Sequence, residues 1–435
     1  MSRPSIVLIF ADQWRADTHS AVLTPHLATL RAESTTYATC LTNAPLCRPA
    51  RVTLMTGQPV HVHGYSTNHA IPDPLAHPSH VRDLREAGYR TALIGKSHLT
   101  PGRGHLDHHR PLLEAWGFQD VVELPDAQQL HVQSAYSDWL SASTRPGEPD
   151  KALRRRDYLA HSDGLTPSDG APWRLTTEDQ LDTFCARPAA AWLRAHDDDT
   201  PFYVQVNFPG PHPPFDAPRA FSLRCDPDDA CVPPPIDPAG EGSPLPSRQR
   251  PRRFTDAERR ALRTAYFAKV ALVDQGIGQV VDALRSTGRL DDTWVIVTAD
   301  HGELLGDHGL TRKVVPYEGA LRVPLVVRPP GGTRPHTVTE PVDLIDIVHT
   351  LRAIADVGPP KGLLDIAITP RIAESMGLVT ARSATHKLVY FHRTGSWVGA
   401  FDLEADPREQ RNLIDTAFER AAFRALRTTL GPAIG

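Results

Sequence analysis

The chain has 435 residues, long enough for one large domain plus a smaller one, each with its own core. Lys and Arg total 47 against 51 Asp and Glu, a formal net charge of −4, so no global field recruits nucleic acid or an anionic membrane and any anion affinity has to be local. Five cysteines, at 40, 47, 185, 225 and 231, form no CxxC pair and leave an odd one over, which argues against a disulfide framework; Cys225 and Cys231 could bridge or stay reduced, and a reducing compartment fits best.

In chain order, "SIVLIFADQ" (5–13) reads as a buried strand that ends in polar residues. Its apolar run, broken by Asp12, is shorter than a signal h-region, and no stretch approaches a membrane span, so a cytoplasmic protein with no membrane partner is expected. In "PLCRPARVTLMTGQP" (45–59) Cys47 sits just ahead of Pro49, near the first turn of a predicted helix, where unpaired N–H groups favour negative charge. "TALIGKSHL" (91–99) is a second strand. "EDQLDTFCARPAAAWLRAH" (178–196) has helical periodicity, and "PFYVQVNFPGPH" (201–212) is a third strand.

Prolines cluster in 209–251 and point to long loops laid over a scaffold; the basic run "PSRQRPRRF" (246–254) is most simply a solvated loop, with anion binding as the lesser alternative. A long helix follows over 255–288, opened by a Thr255/Glu258 capping box and stopped by Gly288. "TWVIVTADHGE" (293–303) is a fourth strand. Beyond about 356 the character changes: 385–403 reads as two strands joined by a Thr-Gly-Ser turn, and "DTAFERAAFRALRTTL" (415–430) looks helical. Strands alternating with helices predict an α/β fold, a mostly parallel sheet sandwiched by helices over 1–355, with a small α+β subdomain over 356–435. Ligands of such sheets gather beyond the carboxyl ends of the strands, where Asp12, Lys96, His98, His212, Asp300 and His301 all fall.

One thiol at a helix mouth suits a cysteine hydrolase only with an activating His oriented by Asn or Asp. Here the candidate histidines sit among carboxylates at strand ends, which is a metal-site environment. The spacing Cys-x-Pro-x-Arg instead resembles the sulfatase signature, and "CRPARVTLMTGQPVHVHGYSTN" (47–68) resembles the whole of it. "FADQWRAD" (10–17), "GKSHL" (95–99), "GPHPPF" (210–215), "TADHGELLGDHG" (298–309) and "KVVPYEGALRVPL" (313–325) resemble further sulfatase segments in the expected order. "HKLVYF" (386–391) and "FDLEADPREQRNL" (401–413) resemble the family's C-terminal ending.

The resemblance implies hydrolysis of a small-molecule sulfate ester. It implies that Cys47 is converted to formylglycine by a formylglycine-generating enzyme, and that Asp12, Gln13, the modified Cys47, Asp300 and His301 hold a divalent cation, Ca²⁺ by preference with Mg²⁺ or Mn²⁺ as alternatives. Many relatives have a second Asp where this chain has Gln13, and one fewer negative charge leaves the site more positive toward an anion. A hydrated aldehyde at position 47 would carry two hydroxyls on one carbon, one to attack sulfur and the other to expel sulfate as the aldehyde reforms.

In that scheme Arg51 holds the hydrate, Lys96 and Lys313 neutralise the non-bridging oxygens, His98 serves the hydrate as base, and His212 protonates the leaving oxygen. Asn68, Asp307 and His308 are expected to support the site or touch substrate. The alternatives are a phosphonate monoester or phosphodiester hydrolase on the same scaffold, and a binding protein whose Cys47 is never modified. The Lys and His of "GKSHL", which phosphonate-hydrolysing relatives generally lack, favour the sulfatase. Residues 103–175 and 216–254 are expected to shape the pocket wall; Trp116, Trp139 and Trp173 could stack on an aromatic or a sugar, but core or interface packing is the commoner role for each. His105, His108 and His109 lack zinc-site spacing.

Overall fold

The computed structural model describes residues 3–161, 175–226, 244–359, 361–367 and 369–434. Eight strands, β1 (Ser5–Asp12), β2 (Thr35–Tyr37), β3 (Arg90–Gly95), β4 (Asp120–Glu123), β5 (Phe202–Pro211), β6 (Thr293–Ala299), β7 (Val326–Arg328) and β8 (His336–Val338), form one sheet in the order β8-β2-β7-β6-β1-β5-β3-β4. Within it β7 alone runs antiparallel to its neighbours, and the remaining pairs are parallel. Every residue of β1 and β5 is buried. Strands covered on both faces have no polar side to show, which is why they read as continuous apolar runs rather than as alternation.

The sheet is sandwiched by helices. Helix α1 (Cys47–Thr56) packs on α4 (Leu344–Ile354), while α2 (Leu181–Ala195) and α3 (Asp256–Ser286) pack on each other and over β5. Thr255 and Glu258 form the expected capping box, the Glu258 N–H donating to Thr255 Oγ1 at 3.2 Å and the Thr255 N–H to Glu258 Oε2 at 2.8 Å. The chain leaves α3 through Gly288 at φ +70°. Helix α2 starts later than its periodicity suggests, because Thr176 and Asp179 first close a capping box on a separate 3₁₀ turn, Thr177–Asp179. Among the described residues no helix is long and apolar enough to cross a membrane.

A separate antiparallel sheet follows, β9 (Arg371–Ser375), β10 (Leu378–Arg382), β11 (His386–Phe391) and β12 (Ser396–Asp402), each strand pairing with the next. Helix α5 (Ala421–Ile434) covers it, burying Phe423, Leu426 and Leu430 against Val379, Ala381 and Leu388. The predicted helix over 415–430 is therefore too long at its start: residues 415–420 form turns. Ala417 and Phe418 pack there on the small core, Phe418 lying 5.8 Å from the Trp397 ring, and a helix begun at 415 would have to place them otherwise.

The C-terminal sheet is fixed to the main sheet by a shared apolar cluster, in which Leu378, Val389 and Phe401 meet Leu304, Val315, Tyr317 and Ala320. A buried charge cluster lies beside it. Lys387 bonds the Pro316 carbonyl at 2.7 Å and pairs with Glu409 and with Glu318, the latter at 3.5 Å; Arg382 reaches Glu318 at 3.2 Å. Burial pushes the Glu409 carboxyl up to about 7, whereas Glu318 is held at about 2 because the facing cations of Arg382 and Lys387 outweigh its burial. Replacing Lys387 with Met should leave Glu409 without its cation, while Glu318 keeps Arg382, and cost about 3 kcal/mol of stability. Chemical denaturation measures this, and a loss below about 1 kcal/mol would mean that the apolar contacts alone hold the sheet.

Candidate active site

The carboxyl edge of the parallel strands carries the chemistry. Asp12 ends β1, Lys96 and His98 follow β3, His212 follows β5, and Asp300 and His301 follow β6. Gly95 makes the β3 exit possible. At φ +117° it lies so close to β5 that a Cβ would stand 2.0 Å from the Asn207 carbonyl oxygen, so no other residue fits. Cys47 is the first residue of α1, and one turn later Arg51 lies on the same helix face. Both are buried, and α1 ends at Gly57 in the left-handed conformation.

Arg51 organises the centre. Its Nη2 lies 3.1 Å from Asp12 Oδ2 and 3.0 Å from Asp300 Oδ2, its Nε donates to Asp300 Oδ2 at 3.1 Å, and its Nη1 to the Lys96 carbonyl at 2.6 Å. Each carboxylate thus gives its Oδ2 to the guanidinium and keeps its Oδ1 for the other side. There Asp12 Oδ1 lies 3.9 Å and Asp300 Oδ1 3.6 Å from His301 Nε2, and Cys47 Sγ is 3.2 Å from the same nitrogen and 3.8 Å from Asp12 Oδ1. His301 Nδ1 contacts the Gly302 carbonyl at 2.9 Å, which puts the proton on Nδ1 and leaves the Nε2 lone pair toward the carboxylates.

Asp12, Cys47, Asp300 and His301 therefore offer ligand atoms all within 4.8 Å of one another. Two carboxylates and a neutral imidazole, with one oxygen of each carboxylate turned from the guanidinium, fit a divalent cation. Burial opposes the charge of Asp12, but Lys96, His212, Arg51 and Lys313 hold its carboxyl well below the usual range.

The remaining predicted residues converge on the same point. Lys96, buried, pairs with Asp12 and with Asp126. Lys313 donates to Gln13 Oε1, and Gln13 Nε2 to Glu303. Gln13 holds φ +66°, fixed by its N–H to Asp300 Oδ1 at 2.9 Å and by Tyr266, whose hydroxyl donates to the Gln13 carbonyl at 2.8 Å and accepts from the Arg15 N–H at 2.9 Å. His98 also has a positive φ, +57°, and its buried Nδ1 has no protein partner. Burial, then the charge of Lys96, pulls its pKa well below that of a free imidazole, so the ring is neutral. His212 Nδ1 contacts the Pro213 carbonyl at 2.8 Å, which leaves Nε2 available.

Sequence reasoning missed Asp126. It lies three residues beyond β4, bonded to Lys96 and 3.8 Å from His212 Nδ1, and despite burial the charge of Lys96 holds its carboxyl far below the usual range. Its signal was available: a carboxylate just past a parallel strand, on the edge where the other polar residues lie. One expectation is corrected. Asp307 pairs with Arg15 at 2.7 Å and His308 stacks on Tyr317 with ring centroids 3.7 Å apart, so both serve the layer against the C-terminal sheet and do not line the cleft over Cys47. Trp116 is fully buried and Trp139 packs on Tyr136 and Phe184, so both take the expected packing role and neither is a stacking surface for substrate. Trp173 and Cys231 lie outside the described residues. Asn68 does line the cleft, where its Oδ1 accepts the Arg48 N–H at 2.9 Å.

A buried cluster of carboxylates and imidazole under a cationic cleft, at the carboxyl edge of a parallel sheet, defines a hydrolase of anionic esters. The sulfatase family model matches residues 4–357, and the chain belongs to that family, the sulfuric ester hydrolases. It is 28% identical over 450 residues to the choline-sulfatase of Rhizobium meliloti (strain 1021), a match covering 95% of this chain and 83% of the relative. It is 26% identical over 469 residues to an arylsulfatase of Clostridium perfringens (strain 13 / Type A), covering 98% and 94%. Among solved structures the phosphonate monoester hydrolase of Agrobacterium radiobacter superposes with a TM-score of 0.75 at 25% identity, covering 98% of this chain and 95% of its own.

Two outcomes test this geometry. Tyr266→Phe should strand the Gln13 carbonyl and the Arg15 N–H and cost about 1–3 kcal/mol of stability, read by thermal unfolding; an unchanged midpoint would show that the left-handed turn needs no support. Glu123, accepting from Thr100 at 2.7 Å and from Ser97, is pushed up to about 7 by burial. A folded pKa above the unfolded value near 4.5 means that the folded chain binds the extra proton, so this contribution is present in full below about pH 4.5 and is lost as pH rises through about 7. Glu123→Gln should remove that dependence and leave the protein more stable than the parent at pH 8; parallel stability curves between pH 5 and 8 would contradict the assignment.

Proposed function

We propose that the chain hydrolyses a sulfate ester through a formylglycine derived from Cys47, with a divalent cation, Ca²⁺ by preference, held by Asp12, Gln13, residue 47, Asp300 and His301. The observation that carries the reading is the convergence of Cys47 Sγ, Asp12 Oδ1 and His301 Nε2 at 3.2–3.9 Å beneath a cleft walled by Lys96, Lys313, His98 and His212. The thiol sulfur stands where the hydroxyls of an aldehyde hydrate would be. When bound, the cation would lower the pKa of the attacking hydroxyl and neutralise charge on the ester.

The chain's own residues supply the rest. Arg51 clamps both carboxylates from below, so that the oxygens facing position 47 cannot turn away. Lys96 and Lys313 supply positive charge for the non-bridging oxygens, preorganised by Asp126 and Gln13 so that little rearrangement is needed as charge develops. His98, neutral and with a free buried nitrogen, can take the hydrate's proton. His212 can deliver a proton from Nε2 to the leaving oxygen, with Asp126 Oδ1 3.8 Å from its Nδ1. Phosphonate monoester hydrolysis is the competing reading, because the Agrobacterium neighbour bears that name; the two basic groups at 96 and 98, which the resemblance ties to sulfatases, favour the sulfuryl group.

The deciding experiment is the intact mass of the Cys47 peptide from protein made with and without a formylglycine-generating enzyme, alongside turnover of 4-nitrophenyl sulfate and an aryl phosphonate. Aldehyde or hydrate mass rising with sulfate turnover is expected; an unmodified thiol together with retained turnover would refute the mechanism, and a faster phosphonate would move the assignment. Cys47→Ala should lower kcat by about 10³-fold or more without unfolding the chain. His212→Ala should cost about 100-fold on alkyl sulfates and far less on activated aryl sulfates; equal losses would remove its role as acid. Chelation should abolish turnover reversibly, with Ca²⁺ or Mn²⁺ restoring it.

A further inference from the structure

The cleft above Cys47 has charges that the reaction does not use. It encloses about 840 Å³, and its wall includes Arg103, Arg248 and Arg312. None of these three guanidinium groups has an ion pair or hydrogen bond among the described residues. Surface arginines of this chain differ in this respect: Arg90 pairs with Asp120 and Arg110 with Glu114, whereas Arg194 and Arg219 are exposed and pair with nothing among the described residues, so what sets these three apart is that they meet on one cleft. Deeper in the wall Arg48 is buried and bonds only the carbonyls of His98, Asn68 and Ala70, which leaves its charge without a counter-ion.

Carboxyl groups are scarce in the same lining. Among the described residues they are Asp126, engaged by Lys96, and Glu123, engaged by Ser97 and Thr100 with a pKa pushed up to about 7 by burial. No Phe, Tyr or Trp lines the cleft among the described residues. Among the described residues, then, a quaternary ammonium alcohol meets neither an aromatic face nor an unengaged carboxylate, and an aryl group meets no ring to stack on. Amide and hydroxyl side chains such as Gln128, Gln129 and Ser247 share the wall with aliphatic ones such as Ile71, Leu106 and Val132, and suit the hydroxyls and the C–H faces of a sugar-like alcohol.

We infer, resting on the sulfatase reading above, that the ester's alcohol is a polar, non-aromatic one of sugar type carrying a second anionic group, a carboxylate or another sulfate, which Arg103, Arg248 and Arg312 hold. Guanidinium groups match both anions bidentately. The basic run 246–254 then supplies one wall of the substrate cleft through Arg248, and is not merely solvated.

The test compares kcat/KM of the matured enzyme on glucose 6-sulfate, glucosamine 2-N,6-O-disulfate, glucuronic acid 2-sulfate, choline sulfate and 4-nitrophenyl sulfate. One of the two doubly anionic sugars should exceed glucose 6-sulfate by about ten-fold or more at low salt, and which one does tells sulfate from carboxylate. The advantage should shrink as salt screens the partly exposed arginines. Arg103→Gln and Arg248→Gln should each raise KM for that sugar by a factor of about five to ten, several times their effect on 4-nitrophenyl sulfate. Preference for choline sulfate or glucose 6-sulfate, or equal losses on all esters, would overturn the inference. Turnover of 4-nitrophenyl sulfate reports the sulfatase reading separately. Should no ester be turned over, that reading fails, and calorimetric binding of the disulfate against glucose 6-sulfate decides the cleft's preference: tighter disulfate binding supports it and equal binding refutes it.

Discussion

The structure depends on one buried guanidinium. Arg51 lies between Asp12 and Asp300, touches both at 3.0–3.1 Å, and all three are out of water. Taking such charges from water costs several kcal/mol per ion, and only close geometry with further hydrogen bonds offsets it. The fold supplies that geometry by bringing three rigid elements to one point: the ends of adjacent parallel strands β1 and β6, and the first turns of α1. With the guanidinium holding one oxygen of each carboxylate, the other two face Cys47 and His301. Remove it, and two buried carboxylates would repel each other where a cation has to be received. The i, i+4 relation between Cys47 and Arg51 makes the nucleophile and the clamp parts of one helical turn.

Around that clamp the charges alternate in sign. Lys96 separates Asp12 from Asp126, Asp126 separates Lys96 from His212, and Gln13 separates Lys313 from Glu303. Alternation keeps Lys96 ionised despite burial: desolvation lowers its pKa, and Asp12 and Asp126 more than restore it. An ester anion entering the cleft therefore meets cations already fixed in place, which is the form of electrostatic assistance that costs no reorganisation during reaction. His98 stands apart from the network. Burial and the charge of Lys96 outweigh the pull of Asp126, so the ring stays neutral, the state a proton acceptor needs. Backbone strain concentrates at the same place, since both Gln13 and His98 hold positive φ values that β-branched or bulky residues avoid.

The strands and the site core were legible in the sequence because both follow from short-range rules. Doubly covered parallel strands must be apolar throughout, so their polar ends stand out, and Asp12, Lys96, His98, His212, Asp300 and His301 could be placed on one edge before any contact was known. Asp126 was not legible in this way. Its strand is only four residues long, Asp120–Glu123, and alternates between buried and half-buried, so it lacks the continuous run that marked the others. Asp307 and His308 were misplaced for the opposite reason: they adjoin "ADHG" in sequence, but Gly306 at φ +93° and His308 at φ +54° turn the chain away from the site. Proximity in sequence predicts proximity in space only until the first residue that leaves the regular conformation.

The substrate wall was the least legible part, and the physical reason is general. Catalytic residues sit where strands end, at positions fixed by periodicity, whereas the groups that choose an alcohol come from segments distant in sequence that the fold brings together. Here Arg103 follows β3, Arg248 belongs to the proline-rich stretch, and Arg312 comes from the loop after β6. Each alone is an ordinary solvated cation, and a solvated cation distinguishes nothing. Only their meeting over the catalytic floor, with no carboxylate among the described residues to neutralise them, turns three unremarkable arginines into a device for selecting charge. A wall of this sign would repel a cationic alcohol that the same catalytic floor could otherwise hydrolyse. Two family members with the same clamp, cation cluster and nucleophile can therefore differ in substrate through loop side chains that touch none of the reacting atoms.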